Sequence, residues 1–194
     1  MPSKTLVKNT SLRRIAIVIL FIIEISIIFI MELVVKNGFL ITQSQKYKCS
    51  IGYNGLTRNK YEGDGCTPIG KFKINKIMYR PDKINIYEFG IVSQIIKEEC
   101  GWCDDIESEL YNQKINFPFN HSAEHLHRND DLYDIICVID YNLNPIIKGK
   151  GSAIFLHVAS DDYSPTHGCV AIKKNDLLQI ALKLEKKSTI TIDY

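Results

Sequence analysis

Two short segments near the C-terminal end carry the residue types that covalent chemistry needs. They are Phe155-Leu156-His157 and Ser164-Pro165-Thr166-His167-Gly168-Cys169-Val170. A cysteine attacks a carbonyl when a base helps it to thiolate, when donors meet the charge that develops, and when substrate can reach it. His157 closes an apolar run, where a sheet would hold an imidazole rigidly. Gly168 permits backbone angles closed to other residues and lets substrate approach Cys169. The N–H groups around Gly168 and Cys169 are then oxyanion donors, each worth roughly 3 kcal/mol. The same residues also admit a plain structural role, as a buried cysteine and a histidine at a strand end.

Two other constellations compete. His121-Ser122-Ala123-Glu124-His125 matches the H-x-x-E-H zinc-peptidase pattern, with His127 as a further ligand. That chemistry needs a helix, so that both histidines share a face. The preceding Asn116-Phe117-Pro118-Phe119-Asn120 favours a loop, and no distant acidic ligand stands out. Cys100-Gly101-Trp102-Cys103 has the C-x-x-C spacing of a redox or half-zinc motif. It lacks both the βαβ context and a second C-x-x-C. Its expected role is packing, or a disulfide in an oxidising compartment.

The surrounding elements read as strands. ELVV (32–35), FLIT (39–42), KYKCSI (46–51), KFKINK (71–76), IICVID (135–140), AIFLHV (153–158) and STITI (188–192) are short β-branched runs between turn signals. A helix is expected where Asn175 can cap and Leu177, Leu178, Ile180, Ala181 and Leu184 form one apolar stripe. Lys173, Lys174, Lys183, Lys186 and Lys187 give it a basic, solvated face. Residues 94–130 are polar, aromatic and irregular, which suggests a long flap-like insertion.

The 194 residues suit one globular domain, and 24 basic against 22 acidic residues give a net charge of +2. That balance excludes nucleic-acid binding driven by bulk charge. It is also uneven: residues 1–30 carry +3 and the remainder −1. Lys4, Lys8, Arg13 and Arg14 precede the apolar run IAIVILFIIEISIIFI at 15–30. A basic start before an apolar segment reads as a signal anchor, extending to about Val35 although Glu24 interrupts it. The expected organisation is an anchor over 1–31 and a catalytic domain over 32–194, in the cell envelope. A start at Met31 would instead leave a cytoplasmic domain.

The segment from His157 through Thr166-His167-Gly168-Cys169-Val170 resembles the signature of the L,D-transpeptidase catalytic-domain (YkuD-like) family. Gly63-Asp64-Gly65-Cys66-Thr67-Pro68-Ile69-Gly70-Lys71-Phe72 resembles that family's Asp-Gly-x-Thr-Pro-x-Gly turn into a strand, in the family's order. The resemblance covers residues 32–194. It implies a mainly β sandwich or barrel with one helix after the cysteine. It also implies acyl transfer on peptidoglycan stem peptides: Cys169 as nucleophile, His157 as base, and His167 and Gly168 shaping the site. Thr166, Ser164 and Phe155 would lie against substrate. No metal or organic cofactor is required by such a site. The chain departs from the family at Ala171, where Asn or Arg is common, at Val158, and in a shortened gap before Thr166. The alternatives are hydrolysis of the same bond by an L,D-carboxypeptidase or endopeptidase, and a non-catalytic peptidoglycan-binding module. Oligomeric state is not legible.

Overall fold

In the computed structural model, residues 30–85 and 88–194 are described. The anchor expected before Met31 therefore lies almost wholly outside the described residues. Among those described, no helix is long and apolar enough to cross a membrane.

The chain forms β1 (Glu32–Lys36), β2 (Phe39–Ile41), β3 (Lys46–Ser50), β4 (Leu56–Thr57), β5 (Thr67–Pro68), β6 (Gly70–Tyr79) and β7 (Ser93–Ile95). It continues through β8 (Cys100–Cys103), β9 (Lys114–Asn116), β10 (Ala123–His125), β11 (Ile135–Ile139), β12 (Phe155–Val158) and β13 (Val170–Ile172). Helix α1 (Lys174–Ala181) and β14 (Thr189–Ile192) complete it. Asn37 and Gly38, with φ of 52° and 75°, make the tight β1–β2 hairpin turn.

The main sheet runs β11-β12-β13-β3-β2-β1-β14-β6-β7, and β6 also pairs with β11. Strand β6 is long enough to do both. Its first residues, Gly70–Lys73, pair with β14, and Ile74–Tyr79 pair with β11. The sheet thus closes into a barrel, with β7 appended outside. A mainly β fold with a single helix among the described residues is what the sequence implied.

Alternation along the strands builds two cores. Ile135, Cys137, Ile139, Leu156, Val158, Val170 and Ile172 face inward, with Leu177, Ile180 and Leu184 of the helix segment. Ile136, Val138, Phe155 and Cys169 face the other way, with Met78, Trp102, Leu126 and Tyr133. All five residues of β11 are buried because both its faces are covered.

The second core corrects one expectation. Residues 94–130 are not irregular: they contain a three-stranded sheet in the order β10-β8-β9. Trp102 and Leu126 from this insertion are buried against the barrel. Each such side chain contributes about 1.5–3 kcal/mol on burial, so the insertion is a packed wall. Helix α1 also starts differently. Lys173 takes the N-cap position without a side-chain bond, and Asn175 sits inside the first turn. The apolar stripe is as expected, and its burial rather than capping holds the helix.

Candidate active site

Strands β12 and β13 run parallel, with Leu156 beside Val170 and His157 beside Ala171. Leu156 and Val170 point into the inner core, so Phe155, His157, Cys169 and Ala171 all point outward. His157 and Cys169 therefore sit as diagonal neighbours on one face of the two strands. Both line a cleft of about 670 Å³ with Thr166, His167, Gly168 and Ser164. Cys169 keeps 8% exposure and His157 6%, so the cleft is their route to solvent.

The Cys169 thiol is held from two sides. Its Sγ donates to the Ala153 carbonyl (3.1 Å) and accepts from the Phe155 N–H (3.3 Å). Ala153 presents that carbonyl from a left-handed conformation, φ 52°, which a non-glycine residue adopts only under constraint. The constraint comes from Asn112 in the insertion. Its Oδ1 accepts from the Ala153 N–H (3.1 Å) and from Trp102 Nε1 (2.9 Å), while its Nδ2 donates to the Asn142 carbonyl (2.7 Å). Asn112 is 1% exposed, so these bonds are made in a dry, low-dielectric setting. Sequence reasoning missed Asn112, since one asparagine in a polar stretch carries no spacing signal.

The turn before Cys169 is fixed by threonines. Thr166 Oγ1 accepts from the Gly168 N–H (3.1 Å) and donates to the Cys169 carbonyl (2.7 Å). Thr67 Oγ1 donates to that carbonyl too (3.3 Å), which ties the Asp64–Thr67 turn to the cysteine. Gly168 has φ +139°, and a Cβ there would lie 2.9 Å from the Cys66 carbonyl oxygen. The Gly168 N–H is committed to Thr166, so it does not face an oxyanion here; the Cys169 N–H is the donor left of the two.

The remaining residues divide. His167 is exposed at the cleft mouth, its ring edge-on to Tyr53 at 5.4 Å. Ser164 is also exposed, and its Oγ donates to Asp162 (2.6 Å). Phe155 does not touch the cleft. It is fully buried between Trp102 (5.1 Å) and Tyr133 (6.1 Å), which corrects its expected place against substrate. The ring is core, and only the backbone N–H reaches the thiol.

The rival constellations do not assemble. Residues 123–125 form β10, not a helix, so Glu124 and His125 point to opposite faces. His121 bonds Asp105 (3.0 Å), and His125 stacks on Phe117 (3.8 Å). Cys100 and Cys103 bracket a strand, which sets their Cα atoms roughly 10 Å apart, beyond the ~7 Å a disulfide tolerates. All six cysteines are free thiols, which overturns the disulfide alternative.

Burial governs the charges. It pushes the Cys169 thiol up to about 12, with Glu124 adding to the effect. Burial also lowers His157 to about 4, against the opposing pull of its bonds to the Val158 and Leu132 backbone. The resting pair is thus a thiol and a neutral imidazole. His157 Nδ1 lies 2.8 Å from the Val158 carbonyl oxygen, which assigns the proton to Nδ1 and leaves Nε2 as the acceptor. Tyr133 packs edge-on against the ring at 5.2 Å. Iodoacetamide should therefore alkylate Cys169 slowly at neutral pH, with a rate that climbs toward pH 12. Peptide mapping after timed labelling checks this, and fast labelling at pH 7 would contradict it.

The model of the YkuD L,D-transpeptidase catalytic domain matches residues 28–192. No curated protein and no solved structure matches the chain.

Proposed function

Because the chain belongs to the L,D-transpeptidase catalytic-domain family, whose members are cysteine-nucleophile enzymes of peptidoglycan, we propose that it crosslinks stem peptides. Cys169 attacks the carbonyl of the third residue of a tetrapeptide stem. As the S–C bond forms, His157 Nε2 takes the thiol proton. The carbonyl oxygen gains the negative charge and lies against the Cys169 N–H. The tetrahedral intermediate collapses as His157 returns the proton to the leaving amine of the terminal D-Ala. An amine of a neighbouring stem then attacks the thioester, losing a proton to His157, and the thiol is restored. His167 shapes the cleft mouth, and Thr166 acts by holding the turn.

The observation that carries this reading is the placement of His157 and Cys169 on one face, opening into one cleft, with His157 Nδ1 beside a backbone carbonyl. A thiol that burial holds up, beside an imidazole that burial keeps neutral, favours proton transfer that accompanies attack rather than precedes it. The basic start and the apolar run at 15–30 support an anchored enzyme working at the cell envelope, whereas Leu33 and Val35, expected to extend that run, belong to β1 and the barrel core.

Intact-mass analysis with a tetrapeptide donor tests the proposal. A thioester adduct on Cys169, followed by crosslinked product when an amine acceptor is added, is the expected result. Free tripeptide with acceptor present would assign hydrolysis instead, and no adduct would remove both reactions.

A further inference from the structure

The wall that the insertion contributes to the cleft is acidic. In the β10–β8 pairing, Glu124 lies opposite Trp102, and the Asp104 N–H extends the ladder to the Ser122 carbonyl (3.3 Å). Glu124, Trp102 and Asp104 thus share one face of the small sheet. Trp102 marks it as the inward face, because its ring meets Phe155 at 5.1 Å. Glu124 and Asp104 both line the cleft that holds Cys169.

Neither carboxylate is in a salt bridge among the described residues, although Arg128 and His167 lie near enough to Glu124 to favour its charged form. Glu124 Oε1 accepts from the Tyr133 hydroxyl (2.6 Å), and Asp104 Oδ1 is buried with no hydrogen-bond partner among the described residues. Burial, and then the neighbouring Asp104, push the Glu124 carboxyl above its usual range despite Arg128 nearby. Arg128 is engaged elsewhere, paired through two bonds to Asp130 (2.8 and 2.6 Å) and set over the Tyr133 ring. Lys60 is spent on Asp64 (2.5 Å). A buried carboxylate oxygen left unbonded is costly, and two adjacent carboxylates repel. One positive group seated between them would relieve both. A hard divalent ion wants six or more oxygens, and no group of three or more His, Cys, Asp or Glu ligands occurs among the described residues. An ammonium asks for fewer partners.

We propose that Glu124 and Asp104 form an ammonium subsite beside Cys169, which seats a protonated primary amine of the substrate. This deepens the crosslinking reading and rests on it for its catalytic consequence. The amine has two sources: the side chain of the donor's third residue, or the acceptor stem, whose ammonium would first give one proton through a subsite carboxylate to solvent and then attack as the free amine.

Binding is tested first, without chemistry. The full chain carrying Cys169→Ala is titrated with Nα-acetyl-lysine amide, followed by NMR shifts. Saturable binding is expected, weakened at least about tenfold by Glu124→Gln or by Asp104→Asn, and lost when the probe's side-chain amine is acetylated. Either substitution suffices, and both preserve side-chain size. No binding, binding indifferent to both substitutions, or binding of calcium or magnesium in place of the amine would overturn the proposal.

Turnover then separates the sources. With Glu124→Gln, a donor with lysine as third residue is compared with the same donor acetylated on that lysine. If the donor's amine is seated, the preference for the free amine collapses during acylation. If the acceptor's amine is seated, that preference survives and the ratio of transfer to hydrolysis falls at least about tenfold. Neither change would overturn the subsite. Absence of any acyl-enzyme in the unmodified protein would instead strike the crosslinking reading, while the lysine-amide titration still decides the subsite.

Discussion

Replacing Cys169 by Ser should lower acyl transfer on the order of 10⁴-fold or more, and replacing it by Ala should abolish the adduct. The arrangement explains why oxygen does not substitute. His157 sits at about 4, a weak base, and even the thiol it must deprotonate sits at about 12. A hydroxyl is less acidic still and less nucleophilic, so the mismatch widens. Sulfur tolerates it because attack and proton transfer can proceed together on a polarisable atom. The fold should hardly notice. The thiol contributes two weak contacts, to Ala153 and Phe155, and each is worth about 1 kcal/mol or less. Quantifying crosslinked muropeptides by chromatography, beside a thermal melt, checks both halves. A Cys169→Ser protein that keeps more than a tenth of its activity would place the nucleophile elsewhere, and loss of activity together with a collapsed melt would point to folding.

How much of this was legible in the sequence depends on which forces set each part. The strands from 32 to 51 and from 135 to 158 were legible because β-branched runs between turn residues have few other solutions. Their burial was less so. AIFLHV reads as a continuous apolar run, and only the closed sheet shows that Leu156 and Val158 serve one core while Phe155 packs in the other and His157 opens on the cleft. That is why Phe155 was expected at the substrate and lies instead beneath the site. The insertion hid for a different reason. Its strands are three or four residues long and its polar residues bond across the chain, so no periodicity develops. The Glu124–Asp104 pair follows from the register of β8 and β10, and Asn112 from bonds to partners 10, 30 and 41 residues away; neither is written locally. The Thr166–Cys169 turn was legible because its chemistry is local, although the Gly168 N–H turned out to serve that turn's own geometry.

The Asp64→Ala substitution should cost about 3–5 kcal/mol of stability, the largest effect expected outside the catalytic pair. The Lys60–Asp64 pair is nearly dry, with side chains 4% and 3% exposed. Beyond Lys60 Nζ (2.5 Å), Asp64 accepts from the Cys66 N–H (2.8 Å) and the Tyr61 N–H (3.1 Å), so one carboxylate closes the Gly63-Asp64-Gly65 turn. Alanine would strand a buried ammonium and two backbone donors. At about 2–4 °C per kcal/mol for a domain of this size, the melting temperature should fall by roughly 6–20 °C. The pH dependence has a definite sign. Burial works to raise the Asp64 carboxyl, but Lys60 and the two N–H groups outweigh it and hold the pKa below its ordinary value. A group lowered in the folded state adds stability that is complete above its unfolded value and lost as pH drops through the folded one. The gap between the original protein and Asp64→Ala should thus be widest near neutrality and shrink below about pH 4. Activity should fall alongside, because the turn delivers Thr67 to the Cys169 carbonyl and the Cys66 carbonyl to Gly168. Melting curves from pH 3 to 8 decide it: a shift under about 2 °C at neutral pH, or a gap that grows in acid, would mean that the ion pair does not hold the turn.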